Sequence, residues 1–266
     1  MVDIHHHLLP GVDDGSCNID MSIAMARLAA ADSITHIVCT PHANAEYSFD
    51  PAENATKLTE LKSRLAAENI DVTLGTGCDF HLSYENLEQA KRDLARFSIN
   101  GLGYLLVEPP DYGIPPGLTE TFYELQLAGL TPILTHPERN PTLQNEPERM
   151  APWLRGGALI QVTADSLTGH KGRRAERMSH ELLKKRWVHF LATDAHNTGS
   201  RPPRMREAQE LVARKYGTSY AHALCVTNPL AVFLGKPFTV EEEPHDLYDT
   251  REFTLWDRVK EVLTRR

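Results

Sequence analysis

The chain has 266 residues, of which 41% are hydrophobic and 24% charged, and its formal net charge is −8. This length suffices for one large α/β barrel or for two small domains. The acidic balance and the lack of a long basic run argue against a protein that coats nucleic acid or an anionic membrane. A phosphate-bearing substrate is not excluded, because bound metal ions reverse the local electrostatic field.

Cysteine usage and the first residues bear on the cellular compartment. Cys17, Cys39, Cys78 and Cys225 form no Cys-x-x-Cys pair, so neither a structural zinc knuckle nor a disulfide framework is expected. We expect reduced, mostly buried thiols in a cytoplasmic protein. The chain start shows no signal peptide, and no stretch approaches the ~18 apolar residues of a membrane span.

Strand-like apolar runs alternate with helix-like segments along the chain. The first strand, predicted over Val2 to Leu8, leads into a turn-rich loop, Pro10 to Gly15, and a helix from Met21 to Ala31 that Asp20 can cap. The later predicted elements, in chain order, are a strand at 34–40, a helix at 51–68, strands at 72–78 and 104–107, a helix at 118–128, a strand at 132–135, a helix at 146–154, a strand at 158–162, a helix at 176–185, a strand at 188–193 and a helix at 204–215.

About seven β/α units of this kind predict parallel strands covered by helices. A closed or nearly closed barrel explains the pattern better than an open sheet, because polar motifs recur at so many strand ends. We assign residues 1–236 to this barrel. Residues 237–266 form an acidic tail with an amphipathic helix from Phe253 to Leu263, which we expect to pack on the barrel exterior because the tail is too short to build its own core.

Nearly every predicted strand ends in a residue type that binds metal ions. Barrel enzymes build their active sites at the carboxyl ends of the strands. Side chains far apart in the chain are therefore expected to converge on one mouth of the barrel. In chain order these candidate ligands are His5, His7, His42, Asp79, Glu108, His136, Asp194 and His196.

The first of these motifs is a run of three histidines within an apolar strand. Residues two apart share one face of a strand, so His5 and His7 can point into the mouth while His6 points away. A remnant of a purification tag is the competing interpretation, but only three histidines occur and they interrupt the strand. Asp194 and His196 repeat the same spacing after the last strand.

The other candidates stand singly at strand ends. His42 and His136 each lie beside a proline, where a lone histidine is more often an ordinary hydrogen-bonded residue. Asp79 and Glu108 follow apolar strands, where a carboxylate needs a partner. Because chance would have to produce the pattern at six strand ends, we favour the interpretation as metal ligands.

Mixed imidazole and carboxylate ligands favour Mn²⁺, Fe²⁺ or Zn²⁺ over Mg²⁺ or Ca²⁺. Eight ligands exceed what one ion takes, and Asp14 (or Asp13) on the first loop offers another oxygen, so two or three ions are expected. Closely spaced ions clamp a phosphoryl oxygen and lower the pKa of a bridging water. A metal-bridging hydroxide is therefore the expected nucleophile near neutral pH, and a phosphomonoester is one substrate that such ions could bind.

Two arginines are placed for an anionic substrate. Arg139 follows shortly after His136, and Arg201 follows shortly after His196. A guanidinium fork matches phosphate and offsets charge that develops during its transfer. Solvated surface arginines are the alternative interpretation. Further arginines also lie near predicted strand ends, namely Arg173, Arg174 and Arg204.

Motifs of other enzyme classes are absent from the sequence. No cysteine is followed six positions later by arginine, so the thiolate route of ordinary tyrosine phosphatases is missing. No phosphate-binding Gly-x-x-x-x-Gly-Lys-Ser/Thr loop, Gly-x-Gly-x-x-Gly turn or Gly-x-Ser-x-Gly elbow occurs. The sequence therefore shows no motif for nucleotide-driven chemistry or for catalysis by a serine nucleophile.

At these residues the chain resembles the polymerase and histidinol phosphatase (PHP) superfamily. Within it, the chain is most similar to the bacterial capsule-locus protein-tyrosine phosphatases, and the similarity spans about residues 2 to 235. Each motif alone is weak, whereas their conjunction is specific. The motifs are Asp3-Ile4-His5-His6-His7, Thr40-Pro41-His42, Thr135-His136-Pro137 and Asp194-Ala195-His196, supported by the stretches Leu9 to Gly15, His136 to Arg139 and Arg201 to Pro203.

The resemblance implies a distorted (β/α)7 barrel of the PHP type with a three-metal site, commonly manganese-dependent. It also implies hydrolysis of phosphotyrosine on the tyrosine autokinase that controls exopolysaccharide export. Arg139 and Arg201 match the family's phosphate-binding arginines, and Asp79 stands where the family usually has glutamate. Carried over residue by residue, the implied metal ligands form three sets: His5, His7, Glu108 and Asp194; Asp79, Glu108 and His136; and Asp14, His42 and His196.

The residues leave other functions open. A phosphatase for a small metabolite, such as histidinol phosphate or a nucleotide, would use the same scaffold, because substrate choice depends on loop shape. An amidohydrolase also begins with His-x-His, but that class generally closes with a lone aspartate, which Asp194-Ala195-His196 fits poorly. A catalytically silent regulatory module is not expected to keep all of the ligands and both arginines.

Overall fold

The computed structural model describes residues 1–110, 113–240 and 244–247. Its strands pair only in parallel, in two sheets ordered β1-β2-β4 and β3-β5-β6-β7-β8-β9. The strands are β1 Val2–His6, β2 His36–Cys39, β3 His42–Ala43, β4 Thr73–Thr76, β5 Asp79–His81, β6 Tyr104–Glu108, β7 Thr131–Thr135, β8 Leu159–Thr163 and β9 Phe190–Ala192.

The two sheets form one closed ring of seven strand positions. β3 continues β2, and β5 continues β4, each after a break of two residues. The ring closes between β1 and the end of β9, where His6 and Ala195 form a parallel bridge. At this seam the backbone N–H of Asp194 donates to the carbonyl of His5, and that of His7 donates to the carbonyl of Ala195, both at 2.9 Å. The predicted parallel α/β barrel is confirmed.

Helices connect successive strands and extend beyond the last one. None of those described combines the length and the apolar character that crossing a membrane requires. The α-helices are α1 Ile19–Ala31, α2 Pro51–Ala67, α3 Tyr84–Arg92, α4 Leu118–Leu127, α5 Pro141–Asn145, α6 Ala151–Arg155, α7 Ala164–Leu167, α8 Arg173–Lys184, α9 Arg206–Tyr216, α10 Thr218–His222 and α11 Asn228–Phe233.

Three details of the helices differ from the prediction. Asn18, not Asp20, caps α1, because its side-chain oxygen accepts the backbone N–H of Met21 at 2.9 Å. The helix predicted at 146–154 is divided into a 3₁₀ turn and α6, each with a proline in its first turn. The sequence does not predict α3, whose one fully buried residue is Ala90, nor the short helices α5 and α7, nor the helices after α9.

The interior of the ring holds a compact apolar cluster. Seven of its nine buried members come from strands on opposite sides of the ring, so they can meet only inside it; Ile99 and Val232 come from a 3₁₀ turn and from α11. Leu106 belongs to this layer, and Glu108 follows it by two residues on the same face of β6. Asp194 follows Ala192 by two residues, beyond the end of β9. The buried members are Val2, Ile4, Val38, Ile99, Leu106, Ile133, Phe190, Ala192 and Val232. The apolar layer therefore supports the polar residues at the strand ends.

Part of the predicted tail is described. The indole N–H of Trp187 donates to the carbonyl of His245 at 2.9 Å, and Arg155 donates to the carbonyl of Leu247 at 3.1 Å. The side chain of Leu247 is buried. Residues 244–247 thus pack against the barrel. The predicted helix Phe253 to Leu263 lies outside the described residues and stays a prediction.

Truncation of Leu106, which is fully buried in the inner cluster, tests the support for the site. Leu106→Ala should lower the free energy of unfolding by about 2–5 kcal/mol, because the lost contacts leave a cavity. Leu127→Ala, at a side chain that is 70% exposed, is the matched control and should change it by at most about 0.5 kcal/mol. Chemical denaturation measures both, and equal effects would contradict the assignment of the inner cluster as a core.

Candidate metal centre

The predicted ligands converge at the carboxyl ends of the strands. The nine side chains supply imidazole nitrogens and carboxylate oxygens that lie within 4.8 Å of one another in overlapping sets. These sets are His7, Asp14, His42 and His196; His5, Asp79 and His136; His5, His7 and Asp194; and His42, Asp79 and Glu108. The sequence prediction that distant residues meet at one mouth agrees with this arrangement.

His5 and His7 face each other, as their spacing predicts, with their Nε2 atoms 3.3 Å apart. The Nδ1 of His7 lies 2.7 Å from Oδ2 of Asp13, and the Nδ1 of His5 lies 3.1 Å from Oε1 of Gln161. Both partners are acceptors, so each Nδ1 carries the proton and donates. In the neutral form of each ring, Nε2 therefore directs a lone pair toward the centre, the arrangement in which metal-binding histidines are oriented by outer hydrogen bonds.

His196 has the same orientation. Its Nδ1 lies 3.0 Å from the backbone carbonyl oxygen of Asp194, to which it donates. Its Nε2 is buried and accepts no hydrogen bond within the described part of the chain. A buried nitrogen without a partner is costly, and a cation would remove that cost.

Asp79 adds a buried carboxylate to the centre. Both of its oxygens are buried without a hydrogen bond from any described residue. Oδ2 lies 3.2 Å from Nδ1 of His42 and 3.4 Å from Nε2 of His5. Burial opposes the charged form, but these two histidines outweigh it and hold the pKa of Asp79 well below its usual range. The donor set fits a divalent cation, which such carboxylate and imidazole atoms bind.

Glu108 and His136 complete this side of the centre. Oε1 of Glu108 lies 3.4 Å from Nε2 of His136, and Oε2 lies 3.7 Å from Nδ1 of His42. Burial and the nearby Asp79 raise the pKa of Glu108. The structure thus groups Glu108 with His42 and Asp79. The resemblance assigned Glu108 to two sets, one with Asp79 and His136 and one with His5, His7 and Asp194.

The two aspartates of the first loop have different environments. Oδ1 of Asp14, whose side chain is 45% exposed, lies 3.3 Å from Nε2 of His42 and 3.4 Å from Nε2 of His196. Asp13 is turned toward Nδ1 of His7 instead, and it also accepts the backbone N–H of Gly15 at 2.9 Å. Of the pair that the sequence left open, Asp14 faces the centre and Asp13 hydrogen-bonds His7.

The electrostatic environment of His7 and His42 is strongly negative, whereas burial foremost lowers the pKa of His196 to about 4 and that of His136 well below its usual range. Burial disfavours the charged form of His7, yet Asp13 raises its pKa to about 9. Burial also disfavours the charged form of His42, but its carboxylate neighbours, Asp14 foremost, raise its pKa to about 11. Positive charge is therefore stabilised where these rings meet, as a cation site requires.

Backbone conformations at the site are unusual. His136 and Asp194 adopt left-handed φ angles of 32° and 51°, which non-glycine residues rarely adopt. Such conformations persist only where the surrounding structure enforces them, and they concentrate at functional sites. At Gly15 a Cβ atom would lie 2.4 Å from Cβ of His7, so the first loop can approach the strand only with glycine there.

The two predicted arginines share one carboxylate of the centre. Oδ2 of Asp194 accepts a hydrogen bond from Nη1 of Arg139 and another, at 2.8 Å, from Nη2 of Arg201. Its Oδ1 faces the opposite way, 3.5 Å from Nε2 of His5 and 3.4 Å from Nε2 of His7. Arg173, Arg174 and Arg204 are exposed on the surface instead.

Sequence reasoning missed several residues of the mouth. Gln161 orients His5, and its only signal was a polar side chain within the apolar strand β8. His81 lies 3.5 Å from Glu108, and the ring of Tyr47 stacks on that of His42 with centroids 6.0 Å apart. These contacts involve residues that no motif marks.

The family of the chain follows from comparison with known proteins. The family described as capsular polysaccharide synthesis, CpsB/CapC, matches residues 1–234. The chain belongs to this family. The predicted resemblance to the capsule-locus phosphatases is thereby confirmed.

Relatives within the CpsB/CapC family are named as phosphatases. The tyrosine-protein phosphatase YwqE of Bacillus subtilis is 35% identical over 227 residues, which cover 84% of this chain and 88% of that protein. The putative tyrosine-protein phosphatase CapC of Staphylococcus aureus is 36% identical over 203 residues, 76% of this chain and 79% of that protein. The tyrosine-protein phosphatase CpsB of Streptococcus pneumoniae is 27% identical, covering 88% of this chain and 98% of that protein.

Comparison with solved structures also shows similarity to tyrosine phosphatases of this family. A structure reported with YwqE of Bacillus subtilis and CpsB of Streptococcus pneumoniae, described as unique metal-dependent tyrosine phosphatases, superposes with a TM-score of 0.87 at 32% identity. The match covers 92% of this chain and 98% of that one. A lactonase of Deinococcus radiodurans has a TM-score of 0.53 at 15% identity, which shows the shared barrel fold alone.

Substitution of Asp13 tests the outer support of the centre. Asp13→Asn should weaken binding of Mn²⁺ by about 10–100-fold, because the amide holds Nδ1 of His7 less firmly than the carboxylate does. Isothermal titration calorimetry measures the affinity, with circular dichroism as a check of folding. Asp20→Asn, at a side chain that is 86% exposed, is the control. Equal affinity in both variants would argue against a supporting role for Asp13.

Proposed function

We propose that this chain is a metal-dependent phosphomonoester hydrolase that acts on phosphotyrosine in proteins. The observation that carries the proposal is the two-sided environment of Asp194. One of its oxygens faces His5 and His7 in the candidate cation centre, and the other is held by Arg139 and Arg201. A site for cations and a site for an anion therefore adjoin at one carboxylate.

The predicted ligands would hold two or three divalent ions, for which we propose Mn²⁺ ahead of Fe²⁺ or Zn²⁺. The mixed imidazole and carboxylate donors support that preference. When bound, such ions polarise a phosphoryl oxygen and make an attacking hydroxide available near neutral pH. His5, His7 and His196 are oriented for this role by hydrogen bonds at Nδ1.

The arginines would bind and orient the phosphoryl group. Guanidinium groups hydrogen-bond phosphate oxygens bidentately and stabilise charge that develops there. Arg139 lies on the 3₁₀ turn Pro137–Arg139, and neighbouring Glu138 accepts the backbone N–H of Thr163 at 3.0 Å. This bond ties the turn to the end of β8, so the guanidinium is positioned by a rigid support.

A tyrosyl group is a good leaving group for this site. The phenol has an unperturbed pKa of ~10, so it needs less protonation on departure than an alkyl alcohol. The phosphatase names of the family relatives support this substrate class. We propose a tyrosine autokinase of exopolysaccharide synthesis as the protein substrate. The four cysteines are free, which fits a cytoplasmic location.

A substrate panel tests the proposal. Purified protein loaded with Mn²⁺ is assayed in parallel with a phosphotyrosyl peptide, the matching phosphoseryl peptide, histidinol phosphate and a nucleotide. The phosphotyrosyl peptide should give the highest kcat/KM, and removal of metal by a chelator should abolish turnover. Preference for histidinol phosphate or the nucleotide would favour a small-metabolite phosphatase instead.

Two substitutions separate the proposed roles of the residues. Arg139→Ala should lower kcat/KM by about 10²–10³-fold with metal content nearly unchanged, because it removes a group that stabilises the transition state. His136→Ala should abolish turnover while the barrel stays folded, because it removes a proposed ligand. Arg174→Ala, at an exposed position, is the control. Normal activity of His136→Ala, or loss of metal in Arg139→Ala, would contradict these assignments.

A further inference from the structure

A cleft opens beside the two arginines on the side away from the histidines. Its volume is about 340 Å³, and its lining consists of Arg139, Gln144, Lys171, Ala175 and Arg201. Two of these residues are the proposed phosphate-binding arginines. A third cationic side chain, that of Lys171, lines the same space, although no motif of the sequence marks it.

The loop between α7 and α8 holds Lys171 in place. The backbone N–H of Lys171 donates to the carbonyl of Asp165 at 3.3 Å. Gly169 and Gly172, on either side, adopt φ angles of 87° and 92°, which favour glycine. The turn is therefore built to present residue 171 at the cleft rather than to leave it on a freely moving loop.

The polar groups of the cleft are incompletely paired. Arg139 and Arg201 both hydrogen-bond Asp194, but the buried Nε of Arg201 has no hydrogen-bond acceptor among the described residues. The ammonium group of Lys171 forms no ion pair with any residue in the described ranges. Burial, together with the charges of Arg201 and Arg139, lowers the pKa of Lys171. These groups repel one another unless an anion lies between them.

The charges of the cleft match a phosphomonoester. Three cationic side chains line it, and two carboxylates contact the arginines: Asp194 contacts both, and Oδ2 of Asp14 lies 3.8 Å from Nη1 of Arg201. The lining therefore keeps a net positive charge, which attracts the dianion that a phosphate monoester carries near neutral pH. Lysine is a common phosphate ligand that acts as a point charge beside the arginine forks.

We infer that Lys171 is a third phosphate-binding residue, which contacts the non-bridging oxygens of the substrate together with Arg139 and Arg201. This inference rests on the proposed function, because it assigns a further residue to the same anion site. It concerns the phosphoryl group itself and not the peptide around it.

Binding of inorganic phosphate to the manganese-loaded protein tests the inference by calorimetry. Lys171→Gln keeps the approximate length of the side chain but removes its charge. It should weaken phosphate binding by about tenfold or more, as expected for a lost hydrogen bond to a charged group. Lys171→Arg should retain most of the affinity. Lys184→Gln, at an exposed position on α8, is the matched control and should bind phosphate as the unmodified protein does.

Kinetics supply a second measurement. Lys171→Gln should raise KM for p-nitrophenyl phosphate and for a phosphotyrosyl peptide by the same factor, with metal content unchanged. If KM rose only for the peptide, Lys171 would contact the polypeptide rather than the phosphoryl group, and the inference would be wrong. Unchanged phosphate affinity would also overturn it. Failure of the unmodified protein to hydrolyse any phosphomonoester would instead refute the proposed function, while the phosphate titrations would still decide the role of Lys171.

Discussion

Closure of the ring between its first and last strands is the constraint on which the site depends. Hydrogen bonds from Asp194 to His5 and from His7 to Ala195 join the two strands. The buried carboxylate of Asp3 strengthens this seam by accepting the backbone N–H and the hydroxyl of Thr193. Without closure, the oxygens of Asp194 would not lie between the histidines of β1 and the two arginines.

Burial of the polar side chains in the centre that this closure creates costs free energy. Imidazole nitrogens and carboxylates converge there, the oxygens of Asp79 accept no hydrogen bond from a described residue, and the backbone is left-handed at His136 and Asp194. Outer hydrogen bonds that His7 donates to Asp13 and His5 donates to Gln161 fix the rings in this arrangement. Such a site is pre-organised for cations, and the apolar layer beneath it provides the rigidity.

The cleft proposed to bind the phosphate differs from the cation centre in the charge of its lining. The chain is acidic overall, yet the cleft beside Asp194 is lined by arginine and lysine side chains. Local placement, rather than net charge, therefore decides which ligand the mouth attracts. Because Asp194 contacts both sides through separate oxygens, displacement of this one carboxylate would disturb the cation centre and the arginines together.

The sequence alone determined the parallel barrel and the residue types at its mouth. Both follow from the strand pattern along the chain, which sets the spacing of His5 and His7 and places polar residues after apolar strands. The prediction that Asp20 caps α1 was wrong, because the nearby Asn18 accepts the backbone N–H at the start of this helix instead. Only the tertiary structure decided that Asp13 supports a histidine and that Gln161 and Lys171 reach the mouth. The roles of Gln161 and Lys171 arise from contacts between segments far apart in the chain, which no local pattern encodes. The role of Asp13 depends on how the first loop folds back onto His7.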